Sequence, residues 1–148
     1  MIKKKKTYVL MVAKTFQKSH PRAGEPTLFP DHILNGKKIH TIRANYDGWK
    51  KKVDAINAGE AILSIRTWSG KPYRSNQEIH LELTEVGIEK ASIYEGIVRV
   101  HENDYYYSPY KITVCENDGL STKDFYNWFP ESQKNLAIIH FTKFRYND

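Results

Sequence analysis

Apolar and polar positions along this chain divide it into short elements. Thr7 to Ala13 (TYVLMVA) is a compact run of strand formers and predicts a covered strand. The next stretch changes character. Ser19-His20-Pro21-Arg22-Ala23-Gly24-Glu25-Pro26 carries two prolines and a glycine and predicts an ordered loop. Thr27 to Asn35 predicts a short helix, with Thr27 as cap, Pro30 in its first turn and Gly36 as terminator. Lys37 to Arg43 alternates as a strand, placing Lys38, His40 and Ile42 on one side and Ile39, Thr41 and Arg43 on the other. Trp49, Val53 and Ile56 then give one apolar stripe to a helix over Tyr46 to Asn57.

Glu60 to Trp68 alternates as a strand, and the turn Ser69-Gly70-Lys71-Pro72 leads toward an antiparallel partner over Gln77 to Val86. Ile88 to Arg99 fits helix and strand templates equally. Tyr105 to Val114 is strand-like, an aromatic cluster followed by Ile112 and Val114. Ser121 and Asp124 frame the start of a helix whose buried face is Phe125, Trp128 and Phe129, and Pro130 ends it. Leu136 to Phe144 is a closing strand. A chain of 148 residues buries one core and not two. This order predicts a basic, flexible segment over 1–6 and a single α+β domain over 7–148, built on a curved or barrel-like mixed sheet with short peripheral helices.

Charge adds a polarity. The net charge of +6 is uneven: residues 1–52 hold thirteen Lys and Arg against three Asp and Glu, and residues 53–148 hold ten against fourteen. Basic groups sharing a face would focus a field on anionic ligands. The Lys3–Lys6 run reads equally as a solvated end and as a nucleic-acid contact. Cys115 is the only cysteine, forms no internal disulfide and reads as an inert buried thiol. No secretory pattern follows the lysine run and no apolar stretch approaches spanning length, so the expected location is cytoplasmic, away from membranes.

Chemistry is narrowed by what the motifs lack. The six histidines stand singly, with no cysteine partner or His-Glu-x-x-His spacing, and no metal site is expected. Gly36-Lys37-Lys38 lacks the remainder of a phosphate loop, serine-hydrolase signatures are missing, and no cofactor is implied. What remains is Lys38, His40, Thr41 and Arg43 at a helix-to-strand junction. Lys38 suits carbonyl orientation or, when desolvated, base chemistry; Thr41 suits hydrogen bonding or attack; Arg43 suits an anion. A solvated lysine, a strand threonine and a paired arginine account for the same residues, and composition alone favours that reading. A regular strand points Lys38 and Thr41 apart, so a shared role requires a bend near Ile39-His40. Arg66, Trp68, Lys71, Tyr73 and Arg74 bracket one hairpin that suits base stacking and phosphate contact, or a core tryptophan with solubilising charges. His20 and Arg22 are further loop candidates for ligand contact.

Gly36-Lys37-Lys38-Ile39-His40-Thr41-Ile42-Arg43, preceded by Ile33-Leu34 and supported by Ala61–Arg66 and Glu116-Asn117-Asp118-Gly119-Leu120, resembles the ASCH-domain family, a group related to the PUA domains of RNA-modifying proteins. The resemblance runs from Tyr8 to Phe144 and is nearest to uncharacterised bacterial members. It implies a β-barrel with short helices, a cleft beside the junction, and RNA, nucleoside or nucleotide ligands. Some small members are amidohydrolases that remove an acyl group from N4-acetylcytidine. Their lysine and threonine match Lys38 and Thr41, and their acid matches Glu116, with Asp118 as rival. Three readings follow: an RNA- or nucleoside-binding module, an amidohydrolase of N-acylated nucleosides, and a non-catalytic small-molecule or protein-interaction domain whose protein partner the sequence does not identify.

Overall fold

Residues 4–147 are described in the computed structural model. Two open sheets carry the chain. One has the order β1 (Lys6–Met11), β3 (Ala61–Trp68), β4 (Gln77–Leu83), with β1 parallel and β4 antiparallel to β3. The other runs β2 (His40–Ala44), β8 (Gln133–His140), β5 (Gly87–Tyr94), β6 (Ile97–Glu102), β7 (Tyr105–Tyr107), antiparallel throughout. Four short helices complete it: α1 (Phe29–Leu34), α2 (Tyr46–Asn57), α3 (Lys111–Asn117) and α4 (Thr122–Trp128). Of the Lys3–Lys6 run, Lys3 lies outside the described residues and Lys6 opens β1.

The α+β class is as expected, but the curved or barrel-like sheet is not there. Closure would require a ladder joining an end strand of one sheet, β1 or β4, to an end strand of the other, β2 or β7. The described residues form no such ladder. The two sheets contribute instead to one apolar core, with Leu10, Leu63 and Ile65 from the first and Ala91, Val100 and Ile138 from the second.

Strand β8 is the spine of the larger sheet. Leu136, Ala137, Ile138 and Ile139 are all buried, so it is covered on both faces, which is why its apolar residues run consecutively instead of alternating. It starts at Gln133 and stops at His140, earlier at both ends than the expected Leu136 to Phe144. The ambiguous Ile88 to Arg99 is a hairpin. Tyr94 pairs with Ile97, and Glu95 and Gly96 between them both take positive φ, 48° and 80°, as a tight two-residue turn requires. Tyr105 to Val114 divides because Pro109 cannot donate to a ladder; β7 ends after three residues, and Ile112 and Val114 belong to α3. Among the described residues no helix is long and apolar enough to cross a membrane.

One turn positions the site. After α3 the chain reverses at Gly119, whose φ is +79°, and Asp118 forms an isolated antiparallel bridge with Lys38. A Cβ on Gly119 would lie 3.1 Å from the Lys38 Cβ, so both backbone sign and space favour glycine. Gly119→Ala is therefore expected to lower stability by about 1–2 kcal/mol, measured by urea denaturation; an unchanged midpoint would contradict the crowding.

Candidate functional site

The Lys37–Arg43 segment changes hydrogen-bonding partner part-way along. Lys38 N–H donates to His32 O at 2.9 Å and Ile39 N–H to Asn117 O at 2.8 Å, after which the chain pairs with β8 from His40 onward. This handover takes Lys38 out of the β2–β8 ladder. Lys38 and Thr41, three residues apart, consequently line one cleft of about 420 Å³ together with Arg43 and Asp118. Its apolar walls include Phe29, Trp68, Pro72, Trp128 and Phe129.

Lys38 and Asp118 form the buried ionic centre. The Lys38 ammonium donates to the Asp118 backbone oxygen at 2.7 Å and to Oδ1 at 3.0 Å, and sits 4.3 Å from the Phe29 ring centroid. Two of the three ammonium protons are thus hydrogen-bonded, and the cation lies over the ring. Burial pushes the Lys38 amine below its usual range, with Asp118 opposing and Arg43 reinforcing the shift. Burial would by itself raise the Asp118 carboxyl. The charge of Lys38 and the hydrogen bonds from His40 and Lys38 outweigh it and hold the group below the usual carboxylate range.

His40 is fully buried and does not line the cleft; it supports the cleft from behind. An ionised carboxylate only accepts, so His40 Nδ1 donates to Asp118 Oδ1, at 3.2 Å. Its Nε2 lies 2.7 Å from the Tyr146 hydroxyl, which receives a bond from Asn117 Nδ2 at 3.1 Å and donates on to the ring. Burial pushes the Tyr146 hydroxyl pKa up, keeping that proton in place. Across the ladder His40 faces His140, whose Nε2 meets Glu89 Oε1 at 2.7 Å. Glu89 also accepts from the backbone N–H groups of Tyr146 and Asn147, at 2.8 and 3.2 Å, fastening the C-terminal segment that carries Tyr146.

Arg43 turns to the opposite wall, donating from Nη2 to Met11 O at 2.6 Å and from Nε toward Thr41 Oγ1 at 3.4 Å. Burial depresses its guanidinium pKa, opposed by Asp118. Glu116 is exposed and lines a separate concavity with His32 and Lys37, so the carboxylate that meets Lys38 is Asp118. Trp68 reaches the cleft and touches Tyr73 at 5.1 Å between centroids. Arg66 is engaged by Ser64 and Gln77, while Lys71 and Arg74 are exposed and do not line the cleft.

His20 and Arg22 fasten their loop to α4. The buried His20 ring has Nε2 3.2 Å from Asp124 O, and Arg22 Nη1 donates to Asp124 Oδ2 at 2.5 Å while its guanidinium lies over Phe16. That attachment places Phe16 and His20 against Trp128, a wall of the cleft. Cys115 is buried, its thiol pushed up to about 11 by burial. Among the described residues no group of three or more His, Cys, Asp or Glu side chains is placed to hold a metal ion.

Sequence reasoning did not assign Phe29, Trp128, Phe129 or Tyr146 to a site. The aromatic spacing in α4 marked Trp128 and Phe129 as buried; both are half-buried and line the cleft. Tyr146 had no local signal, because its role depends on a partner 106 positions away. Comparison of the chain with family models, curated proteins and solved structures finds no match.

The two buried carboxyls with depressed pKa, Asp118 and Glu89, set an acid limit. A carboxyl whose folded pKa lies below its unfolded value, about 4, supplies stability that is present above that value and disappears as pH falls through the folded pKa. Asp118 and Glu89 both behave this way, Glu89 because His140 and two backbone N–H groups together overcome its burial. Urea midpoints should fall on acidification below about pH 4, and Asp118→Asn should show a shallower fall than wild type. Equal slopes would contradict the assignment of Asp118.

Proposed function

We propose that the cleft binds a nucleoside. The observation that carries this reading is the convergence of Lys38, Thr41 and Arg43 with Trp68, Trp128 and Phe129 on one cleft of about 420 Å³. Such a volume suits a small molecule, and an aromatic wall opposite a few polar groups suits a flat heterocycle bearing hydrogen-bonding substituents. The base lies against the aromatic wall, and its exocyclic or sugar oxygens approach Lys38, Thr41 and Arg43. The resemblance of the Gly36–Arg43 segment to ASCH domains supports the same ligand class.

A second reading, hydrolysis of an N-acylated nucleoside such as N4-acetylcytidine, draws on a specific feature: Lys38, its amine made easier to deprotonate by burial, shares the cleft with the Thr41 hydroxyl. Either Thr41 Oγ adds to the acyl carbonyl, expelling the base amine and leaving an acetyl ester on Thr41 that a water then hydrolyses, or a water held by Thr41 Oγ adds directly. Lys38 carries the proton between nucleophile and leaving amine, Arg43 faces the developing oxyanion, and Asp118 orients Lys38. The products are acetate and the free base amine.

Titration with a panel of plain and N-acylated nucleosides, read by calorimetry and by acetate release, separates the two. Binding of nucleosides that weakens at least tenfold in Trp68→Ala supports the binding reading, and no heat with any nucleoside overturns it. Acetate release that falls about a hundredfold or more in Thr41→Ala and Lys38→Met supports hydrolysis. Acetate release unchanged in both variants, or undetectable in wild type, overturns hydrolysis.

A further inference from the structure

The larger sheet has a second exposed surface that the cleft does not use. Directly opposed residues of an antiparallel ladder share a face, as do residues two apart on one strand. The pairs Lys90 with His101, Ser92 with Arg99, Tyr94 with Ile97, and His101 with Tyr106 therefore place these seven side chains on one face across β5, β6 and β7. Helix α2 reaches this face at Lys90, whose ammonium lies 5.6 Å from the Tyr46 ring centroid. Beyond Lys90 the surface opens: Tyr94, Ile97 and Tyr106 are 49%, 48% and 50% exposed.

The chemistry of that surface is specific. The Arg99 guanidinium stands between two half-exposed rings, 4.7 Å from the Tyr94 centroid and 4.6 Å from that of Tyr106. His101 extends the row, its ring 5.7 Å from Tyr106 and held in place by Ser92 at 2.7 Å. Lys90 and Arg99 are the formal charges among the seven, and no carboxylate is among them; Glu89 and Glu102 alternate to the opposite side of their strands. Burial together with the charges of Lys90 and Arg99 lowers the His101 pKa, in keeping with a locally positive potential.

We propose that this β5–β6–β7 face binds single-stranded nucleic acid, with bases stacking on Tyr94 and Tyr106 and backbone phosphates meeting Arg99 and Lys90. Exposed rings interleaved with cations on a sheet face supply the two interactions that an unpaired strand offers, a π-face on every base and a charge on every phosphate. A second copy of this chain fits less well, because a two-fold contact would set identical cationic faces against each other. Tyr and Arg are also common at protein interfaces; what favours a nucleic-acid strand here is the regular interleaving of rings with two cations and no carboxylate among the seven, which matches alternating bases and phosphates. The proposal is independent of what the cleft binds.

Fluorescence anisotropy with labelled 12-nucleotide single strands of RNA and DNA, and with a duplex of the same sequence, tests this on the full chain. Wild type should bind one or both single strands more tightly than the duplex. Tyr94→Ala/Tyr106→Ala should weaken binding about tenfold or more, and Arg99→Gln should reduce the slope of log affinity against log salt by about one. Circular dichroism melting establishes that the variants remain folded; should the double alanine variant unfold, Tyr94→Leu/Tyr106→Leu keeps the apolar area without the rings and is expected to show the same loss. Lys71→Ala/Arg74→Ala, on the other hairpin, should bind as wild type does. No binding at low salt, preference for the duplex, full affinity in the ring variants, or loss confined to the Lys71/Arg74 variant would each overturn the proposal.

Discussion

The buried contact between Lys38 and Asp118 is the constraint on which the site depends. It joins segments 80 positions apart in the chain, and both side chains are nearly inaccessible to solvent. Removing two opposite charges from water is costly, and their attraction offsets that cost only when every proton and lone pair finds a partner. The surroundings supply several of those partners. Lys38 has the Asp118 backbone oxygen, its carboxylate and the Phe29 ring; Asp118 has Lys38 and His40. Gly119 allows the chain to reverse close against the Lys38 stem, and the bridge between Lys38 and Asp118 holds the backbones in register.

From this contact the structure extends in two directions. Toward solvent, Lys38 and Asp118 share the aromatic cleft with Thr41 and Arg43. Toward the interior, Asp118 is the first member of a hydrogen-bonded chain through His40 to Tyr146 and Asn117. Glu89 holds the backbone of the segment carrying Tyr146 and pairs with His140, which lies opposite His40. The buried polar groups thus form a supporting layer behind the cleft, and rigidity there is what allows an ammonium and a hydroxyl to be held in a defined relation to a ligand. The loop over residues 14–26 performs a similar service for the aromatic wall, since Asp124 ties His20 and Arg22 to α4 and leaves Phe16 and His20 packed against Trp128.

Much of this was legible wherever the signal was local. Period-two alternation gave β3 and β4, the apolar stripe of Trp49, Val53 and Ile56 gave α2, and Ser121 with Asp124 gave the start of α4. The requirement for a bend near Ile39-His40 followed from strand geometry. Sheet closure was not legible, because strand patterns carry no information on which edges pair; the expectation of a curved or barrel-like sheet rested on the order of elements and on the resemblance. The apolar Ile112 and Val114 read as strand because α3 is too short to reveal a helical period. The acid was left between Glu116 and Asp118, two residues apart, and α3 separates them: Asp118 turns in under Lys38, whereas Glu116 remains exposed. The basic N-terminal third does not act as one patch. Lys38 and Arg43 are drawn into the cleft, Lys14 pairs with Glu78, and Lys4 to Lys6 flank a separate hollow beside Tyr8 and Glu60.

A double-mutant cycle on the central pair tests the account most directly. Urea denaturation of wild type, Lys38→Met, Asp118→Leu and the double variant separates an interaction from two independent losses. The account predicts that each single change, which leaves an uncompensated buried charge, lowers stability by about 3–5 kcal/mol, and that the double variant loses clearly less than the two together. Losses that add to within about 0.5 kcal/mol would show that Lys38 and Asp118 act separately, and the site would lose the constraint that organises it.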